Sequence, residues 1–316
     1  MTTLRAAPGR LLRALFQWAS HRRSLEWLVR HAPLSSAAVR RFVAAETLAD
    51  VLPQLEKLRA AGLRTTVDLL GESVASADAA RAAADRYLET IDALAAAHLE
   101  VNVSLKLTQM GLAVDGALCH GNAERICAHA KERNGFVRVD MEDHTRTDVT
   151  LGIVRDLFAG HGNVGAVIQS YLRRSADDVA DLDRLGIRIR LCKGAYNEPP
   201  SVAFATKAEV DRSYAQLMEE LLTNGTYPAL ATHDDRLIAR ATEFARRNDI
   251  DKDRFEFQML YGIRRDLQER LVAEGWAVRV YVPFGSQWYP YFMRRLAERP
   301  ANVVFLLRSI LREGRR

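Results

Sequence analysis

From residue 64 onward, short apolar and β-branched runs alternate with longer stretches whose apolar positions recur three and four apart. The first pattern is that of strands, the second that of amphipathic helices. Eight such runs stand out, at 64–70, 100–107, 135–142, 164–171, 187–195, 227–233, 255–260 and 277–284. Their starts lie 36, 35, 29, 23, 40, 28 and 22 residues apart. Most of these gaps fit one helix, the crossover that joins parallel neighbours. Eight βα units over about 240 residues are the arithmetic of a (β/α)8 barrel. No Asn-Gly or Asp-Gly pair stands alone between two strands, which counts against hairpin folds; Asn224-Gly225 ends a helix before the sixth run.

Upstream, residues 1 to 60 read as a helical arm. Leu11, Leu12, Leu15, Phe16 and Trp18 recur near helical spacing, as do Leu25, Leu28 and Val29. A further helix spans 44–58, with Gly62 as its C-cap. The expected organisation is therefore an arm over 1–60 and a barrel over 61–316. The competing fold is an open doubly wound sheet, whose best support is Gly160-His161-Gly162-Asn163-Val164-Gly165. That match follows a helix (149–158) and precedes a strand. A dinucleotide fingerprint must do the reverse, so that a pyrophosphate meets helical N–H groups. It reads as an ordinary helix-to-strand loop.

In a barrel the chemistry gathers at the carboxyl ends of the strands. Here those ends carry Lys106, Thr108 and Gln109; Asp140, Glu142, Asp143 and His144; Gln169; Arg190, Cys192 and Lys193; Thr232, His233 and Asp234; Glu256 and Gln258; and Tyr281. The strand starts are mostly apolar. This asymmetry points to an enzyme or a small-ligand binder. Lys106 alternates with Val101, Val103, Leu105 and Leu107, so it must face a polar site or bear the cost of burial. Arg190 and Lys193 fall on opposite faces unless the strand ends at Cys192. Asp140 and Glu142 share a face by strand period, with His144 near, and such a trio could take a divalent metal. Asp143 and Asp234 also read as helix caps. The segment 288–300 reads as a helix from Tyr291, stopped before Pro300. Tyr291, Arg294, Arg295 and Glu298 share one face, and Phe292, Met293 and Leu296 the other. Adjacent arginines beside tyrosines suggest a carboxylate clamp; a solvated basic turn at a helix end is the plain alternative. Glu72, just past the first strand, lies at the mouth, where it is expected to pair with Arg294 when substrate is bound.

Composition narrows the classes. The chain has 316 residues, 48% hydrophobic and 27% charged, the balance of a globular protein. No run of 18 or more apolar residues exists, so nothing reads as membrane-spanning. The net charge of +5 is not a nucleic-acid footprint by itself. Eight arginines against Glu26 crowd residues 1–41, a segment that could touch anionic lipid. Three cysteines with no Cys-x-x-Cys favour a reducing compartment and argue against zinc. No clean secretory signal reads at the N-terminus.

Taken together, seven segments resemble the proline dehydrogenase family in its short monofunctional bacterial form. They are 104–109 (SLKLTQ), 137–142 (VRVDME), 168–171 (IQSY), 190–196 (RLCKGAY), 231–234 (ATHD), 255–262 (FEFQMLYG) and 291–295 (YFMRR). Any one is weak; seven in order are specific. Cys192 departs from the aliphatic residue usual there. The resemblance implies a distorted (β/α)8 TIM barrel with its final helix over the mouth. It implies non-covalent FAD, oxidation of L-proline to 1-pyrroline-5-carboxylate, and electron transfer to a membrane quinone. A separate 1-pyrroline-5-carboxylate dehydrogenase would take the product, and the setting would be cytoplasmic with weak peripheral contact on the membrane. By motif, Lys106, Arg294 and Arg295 would hold the proline carboxylate and Tyr281 and Tyr291 would wall the ring. Asp140 would lie in the reacting cluster and Arg190 would reach the flavin N5 region. Met141, Gln169, Lys193, Gly194, Ala195, Thr232 and His233 would contact the flavin or its phosphates. Read from the residues alone, a metal-dependent or Schiff-base lyase using Lys106 or Lys193, and a non-catalytic basic binding protein, remain the other classes.

Overall fold

The computed structural model describes residues 35–71 and 73–298. Within them, eight strands close on themselves in chain order, each parallel to its neighbours: β1 (Arg64–Leu69), β2 (Asn102–Leu105), β3 (Phe136–Val139), β4 (Val164–Gln169), β5 (Ile189–Cys192), β6 (Ala229–Ala231), β7 (Glu256–Leu260) and β8 (Val278–Phe284). β8 returns to β1 over the register Arg64↔Arg279 to Leu69↔Phe284. Helices alternate with them: α1 (Ser35–Phe42), α2 (Leu48–Ala60), α3 (Ala77–Ala96), α4 (Gly116–Lys131), α5 (Thr147–His161), α6 (Ser175–Arg184), α7 (Lys207–Asn224), α8 (Asp235–Arg247), α9 (Arg265–Ala273) and α10 (Tyr289–Glu298). The eightfold alternation in the sequence is thus a closed (β/α)8 barrel, and the open sheet is excluded.

Local chemistry starts and stops these elements. Ser76 caps α3 by accepting from the Ala79 N–H at 3.2 Å. Thr206 and Glu209 form a reciprocal capping box on α7. Gly162 ends α5 in the left-handed region, so the Gly-rich match at 160–165 is the helix-to-strand loop it resembled. Gly62, expected as the C-cap of the second helix, sits one residue beyond it: Ala61 is the cap and Gly62 takes the left-handed turn. The main core lies between the outer strand faces and the helices. Val103, Val137, Val139, Leu191 and Val280 meet Tyr87, Ile91, Ile126 and Leu221 there. This packing of the outward faces against the helices explains the apolar positions of the runs.

The strands are shorter than the sequence pattern predicts, mostly at their carboxyl ends. β2 stops at Leu105 and β3 at Val139, so Lys106 and Asp140 are the first residues past the ladder. A second correction concerns the amino ends. The barrel interior there is charged: Arg279 donates to Glu256 (2.8 Å), Glu100 (2.9 Å) and the Thr65 carbonyl (2.7 Å). Beside them the buried Arg138 donates to the carbonyls of Ala166 (3.1 Å) and Arg188 (2.6 Å). Burial pushes the Glu256 carboxyl up, but Arg279 and Arg138 outweigh it and hold it below its ordinary value. Gly165 makes room for this layer: a Cβ there would lie 2.5 Å from the Arg188 carbonyl and 2.6 Å from Arg138 Nη1.

One buried acid lacks such support. Both oxygens of Asp183 on α6 are buried and make no hydrogen bond among the described residues. Burial, then the charge of Glu220 on α7, pushes its carboxyl up to about 6. The folded state therefore holds this proton more tightly than the unfolded chain, and stability is lost as pH rises through that value. Asp183→Asn should gain about 1–3 kcal/mol at neutral and alkaline pH, a gain that shrinks toward pH 4. Thermal melts of both forms across that range check it; a gain independent of pH would contradict it.

Candidate active site

Five side chains meet where β1, β2, β3, β5 and β8 end. Asp68, on the inward face of β1, is 1% exposed and accepts from Lys106 Nζ at 3.0 Å. The same ammonium reaches Asp140 Oδ2 at 3.3 Å and the Tyr281 hydroxyl at 3.4 Å. Tyr281 in turn donates to Asp140 Oδ2 at 2.8 Å. Arg190 closes the cluster, donating from Nη1 to Asp140 Oδ1 (2.7 Å) and from Nη2 to Ser104 Oγ (2.9 Å), with its guanidinium 5.2 Å from the Tyr281 ring centre. Asp140 thus ties two cations and a phenol together. Arg190 Nε is buried and makes no hydrogen bond among the described residues.

The electrostatics follow from this geometry. Burial alone would lower the Lys106 ammonium, but Asp68 and Asp140 outweigh it and its pKa lies above the ordinary lysine value. A Schiff-base lysine must be neutral to attack, so these carboxylates oppose the lyase reading of Lys106. Burial, then Asp140 and Asp68, holds the Tyr281 phenol well above its usual value, so it stays a donor. Cys192 is no thiolate: burial pushes it up to about 12 despite Arg190 nearby.

The other residues singled out in the sequence divide. β5 ends at Cys192, which puts Arg190 inside the barrel and turns Lys193 away, to Asp211 on α7 (2.6 Å) and the α8 cap Asp234 (2.9 Å). Asp140 and Glu142 do not share a site. The strand ends before both, at Val139, and Glu142 instead accepts from the Thr108 N–H (3.0 Å) and hydroxyl (2.6 Å). His144 turns to Glu198, and Asp143 caps the short 3-10 turn that follows it. The possible metal trio is therefore dispersed. Among the described residues no group of three or more His, Cys, Asp and Glu could hold a metal. Gln169 is buried at the end of β4 and donates to the Glu142 carbonyl at 2.9 Å. Met141 is buried just past β3, and Thr232 past β6. His233 Nε2 accepts from the Leu260 N–H at 3.0 Å, so a neutral ring carries its proton on Nδ1. Gly194 adopts φ +111, and a Cβ there would fall 2.4 Å from the Tyr171 ring. Ala195 follows it in the same loop. Glu72 lies outside the described residues.

α10 covers one side of the mouth. Tyr291, Phe292, Met293 and Leu296 are buried in a second apolar cluster with Leu70 past β1, Ile263 past β7, and Val39, Phe42 and Val43 of the N-terminal segment. Arg294 is exposed and Arg295 half-buried, with its guanidinium 5.1 Å from the Tyr291 ring centre. Tyr196, in the loop past β5, feels charges from both sides of the mouth. Its phenol is raised by burial and Glu142, and opposed by Lys106 and Arg294. Asp68, Ser104, Tyr196 and Glu198 belong to this arrangement without standing out as site residues in the sequence pattern. Asp68 carried a visible signal, a carboxylate inside the apolar run from Val67 to Leu70.

The comparisons with known proteins bear on this arrangement. The family model described as proline dehydrogenase matches residues 51–308. The chain belongs to the proline dehydrogenase family. Proline dehydrogenase from Deinococcus radiodurans is 47% identical over 277 residues, covering 86% of this chain and 89% of that one. Proline dehydrogenase 2 of Bacillus subtilis is 43% identical, covering 83% and 86%. Among solved structures, proline utilization A (PutA) from Bdellovibrio bacteriovorus, inactivated by N-propargylglycine, aligns with a TM-score of 0.78 and 27% identity. That alignment covers 83% of this chain but 32% of the PutA chain, so the family member described here corresponds to about a third of it.

Proposed function

We propose that this member of the family oxidises L-proline to 1-pyrroline-5-carboxylate with non-covalent FAD and passes the electrons to a membrane quinone. The observation that carries the proposal is the Asp68–Lys106–Asp140–Arg190–Tyr281 network at the strand ends, covered by a helix bearing two adjacent arginines. Family membership and the name of the Deinococcus relative support the substrate.

The residues present fit a flavin. Arg190 Nε is a buried donor without a protein partner among the described residues. The positive φ of Gly194 leaves a backbone stretch with no Cβ beside Tyr171. Met141, Gln169, Arg190, Gly194, Ala195, Thr232 and His233 would hold the cofactor, which supplies the two-electron acceptor when bound. Lys193 is the exception in its surroundings. It stands between Asp211 and Asp234, which take two of its three N–H donors, so a phosphate there would take the third or displace Asp211, which Lys207 also holds.

The protein's own part is position and charge. Lys106, Arg294 and Arg295 would take the proline carboxylate, for which guanidinium offers a bidentate match. Tyr281, fixed by Asp140, and Tyr291, covered by Arg295, would wall the ring. Oxidation removes two electrons and two hydrogens across the C5–N bond and leaves an imine. The amine must be neutral at that point, and cations around the carboxylate favour loss of its proton. Arg190 would hold a fixed positive charge near the acceptor, where negative charge builds on reduction. Incubated with L-proline and a lipid-soluble quinone, the holoenzyme should give one imine and one quinol per proline consumed. Imine formation without quinol would contradict the acceptor. A separate 1-pyrroline-5-carboxylate dehydrogenase would take the product. The match to a relative named bifunctional protein PutA, of which this chain covers 24%, supports that division of labour.

Two further expectations belong to this reading. Glu72 is proposed to pair with Arg294 over bound substrate; Glu72→Ala should then raise the proline KM about tenfold while flavin stays bound, as befits one charge-assisted contact. Wild-type kinetics in that variant would end the gate assignment. Among the described residues no helix is long and apolar enough to cross a membrane. The arginine-rich segment 1–41, whose first 34 residues lie outside the described ones, is proposed as a peripheral contact with anionic lipid. Deleting residues 1–20 should lower turnover with membrane-embedded quinone and spare a soluble acceptor. Equal losses with both would make the segment structural.

A further inference from the structure

The crossover from β5 to α7 passes through residues 193–206 at the barrel mouth without a helix or strand of its own. Fixing a segment of this length costs conformational entropy, so something must hold it in place. Its far end is fastened by backbone. Leu172 and Ala203 form an isolated antiparallel bridge; the Arg173 N–H donates to the Val202 carbonyl at 2.9 Å, and the Phe204 N–H to the Tyr171 carbonyl at 2.8 Å. Its near end carries Tyr196, beside the charges of Lys106, Arg294 and Asp140. The side chain that fastens this end is Glu198, two residues on.

The Glu198 carboxylate is 3% exposed, and it is fully engaged. It accepts from the His144 backbone N–H at 3.0 Å, from the His144 ring at Nδ1, and from the Tyr171 hydroxyl at 3.1 Å. These donors stand on two other strand exits, His144 past β3 and Tyr171 past β4. A carboxylate so far from water is stable only with charge-assisted partners. None of the three belongs to the Asp68–Lys106–Asp140–Arg190–Tyr281 network. Glu198 therefore joins three strand exits at one point.

We propose that Glu198 is a positioning residue, a buried latch that holds the β5–α7 crossover, and with it Tyr196 two residues before, in one place at the mouth beside the charged site. The proposal deepens the functional reading above and rests on it for the substrate, L-proline. Without the latch the crossover would still leave β5 and re-enter at Ala203, but Tyr196 would sample open positions. Substrate binding would then bear the cost of ordering it, which raises KM more than it lowers kcat.

The test uses the holoenzyme and three substitutions. Glu198→Ala should raise the proline KM about ten- to a hundredfold, as loss of several bonds to a charged group implies, with kcat falling less than about threefold. Limited trypsin digestion should cut at Lys193 or Lys207 at least about tenfold faster, because local opening governs cleavage. Glu198→Gln keeps an acceptor for Tyr171 and the His144 N–H, and should bring KM within about threefold of wild type. Wild-type KM and cleavage in Glu198→Ala would overturn the latch. So would equal falls in kcat and kcat/KM, with a lowered melting temperature, that Glu198→Gln does not recover. If Glu198→Ala fails to fold, Tyr171→Phe decides: removing one donor should raise KM about two- to fivefold, and an unchanged KM overturns the proposal. Should L-proline fail to reduce the wild-type enzyme, the functional reading falls instead, and the cleavage rates still judge the latch.

Discussion

Asp140→Asn should lower kcat/KM for L-proline by about a hundred- to a thousandfold, since breaking a buried, hydrogen-bonded charge cluster costs on the order of 3–5 kcal/mol. Asp140 is the one acceptor shared by Lys106, Arg190 and Tyr281. An amide of the same shape can still accept from Arg190. Its NH2 then faces the Lys106 ammonium and the Tyr281 hydroxyl, both donors, so one oxygen's worth of acceptor is lost where two donors converge. Two cations also remain against Asp68 alone. Part of the Asp140 attraction that holds Lys106 charged disappears, so the lysine pKa should fall and the alkaline limb of the pH–rate profile should move to lower pH. Steady-state kinetics across pH check both effects. An activity within threefold of wild type would mean that the cluster is a structural tie and not the reacting site.

Replacing Arg294 or Arg295 by Met should raise the proline KM about ten- to a hundredfold each, the worth of a charge-assisted bond to a carboxylate. The two variants should differ in a second readout. Arg295 lies 5.1 Å from the Tyr291 ring centre, so its loss also loosens the wall of the pocket and should lower kcat. Arg294 is the exposed one and should act mainly through KM. Unchanged KM in both would return α10 to the plain alternative, a solvated basic turn at a helix end.

Much of this architecture was legible because burial dictated it. The outward strand faces, packed against the helices, must be apolar, and that produced eight clear runs even though the inward faces carry Arg138, Glu256 and Arg279. The pattern overruns their carboxyl ends for a physical reason: Lys106 and Asp140 continue the inward alternation just past the ends of β2 and β3. The same stop misled the pairing of Asp140 with Glu142, since strand period no longer applies past Val139. Lys106 was identified as a charge among apolar neighbours. Asp68 meets the same criterion, but a single carboxylate beside Val67, Leu69 and Leu70 does not interrupt the apolar run. What could not be read was long-range. Glu198 and His144 lie 54 residues apart, and Arg279 and Glu100 lie 179 apart. Each is an ordinary polar residue until the barrel closes. The charged layer at the barrel base, Arg138 with Glu256 and Arg279, was hidden in the same way, one charge per strand.

On the proposed function, L-proline delivers electrons to a flavin held at the Asp140 cluster. The absorbance spectrum of the purified protein, recorded without oxygen before and after L-proline is added, tests it most directly. The protein should be yellow, with a flavin band that bleaches on addition of L-proline, and an Asp140→Asn variant should keep the band but bleach far more slowly. A colourless protein that FAD does not restore, or a flavin band that L-proline leaves untouched, would contradict it.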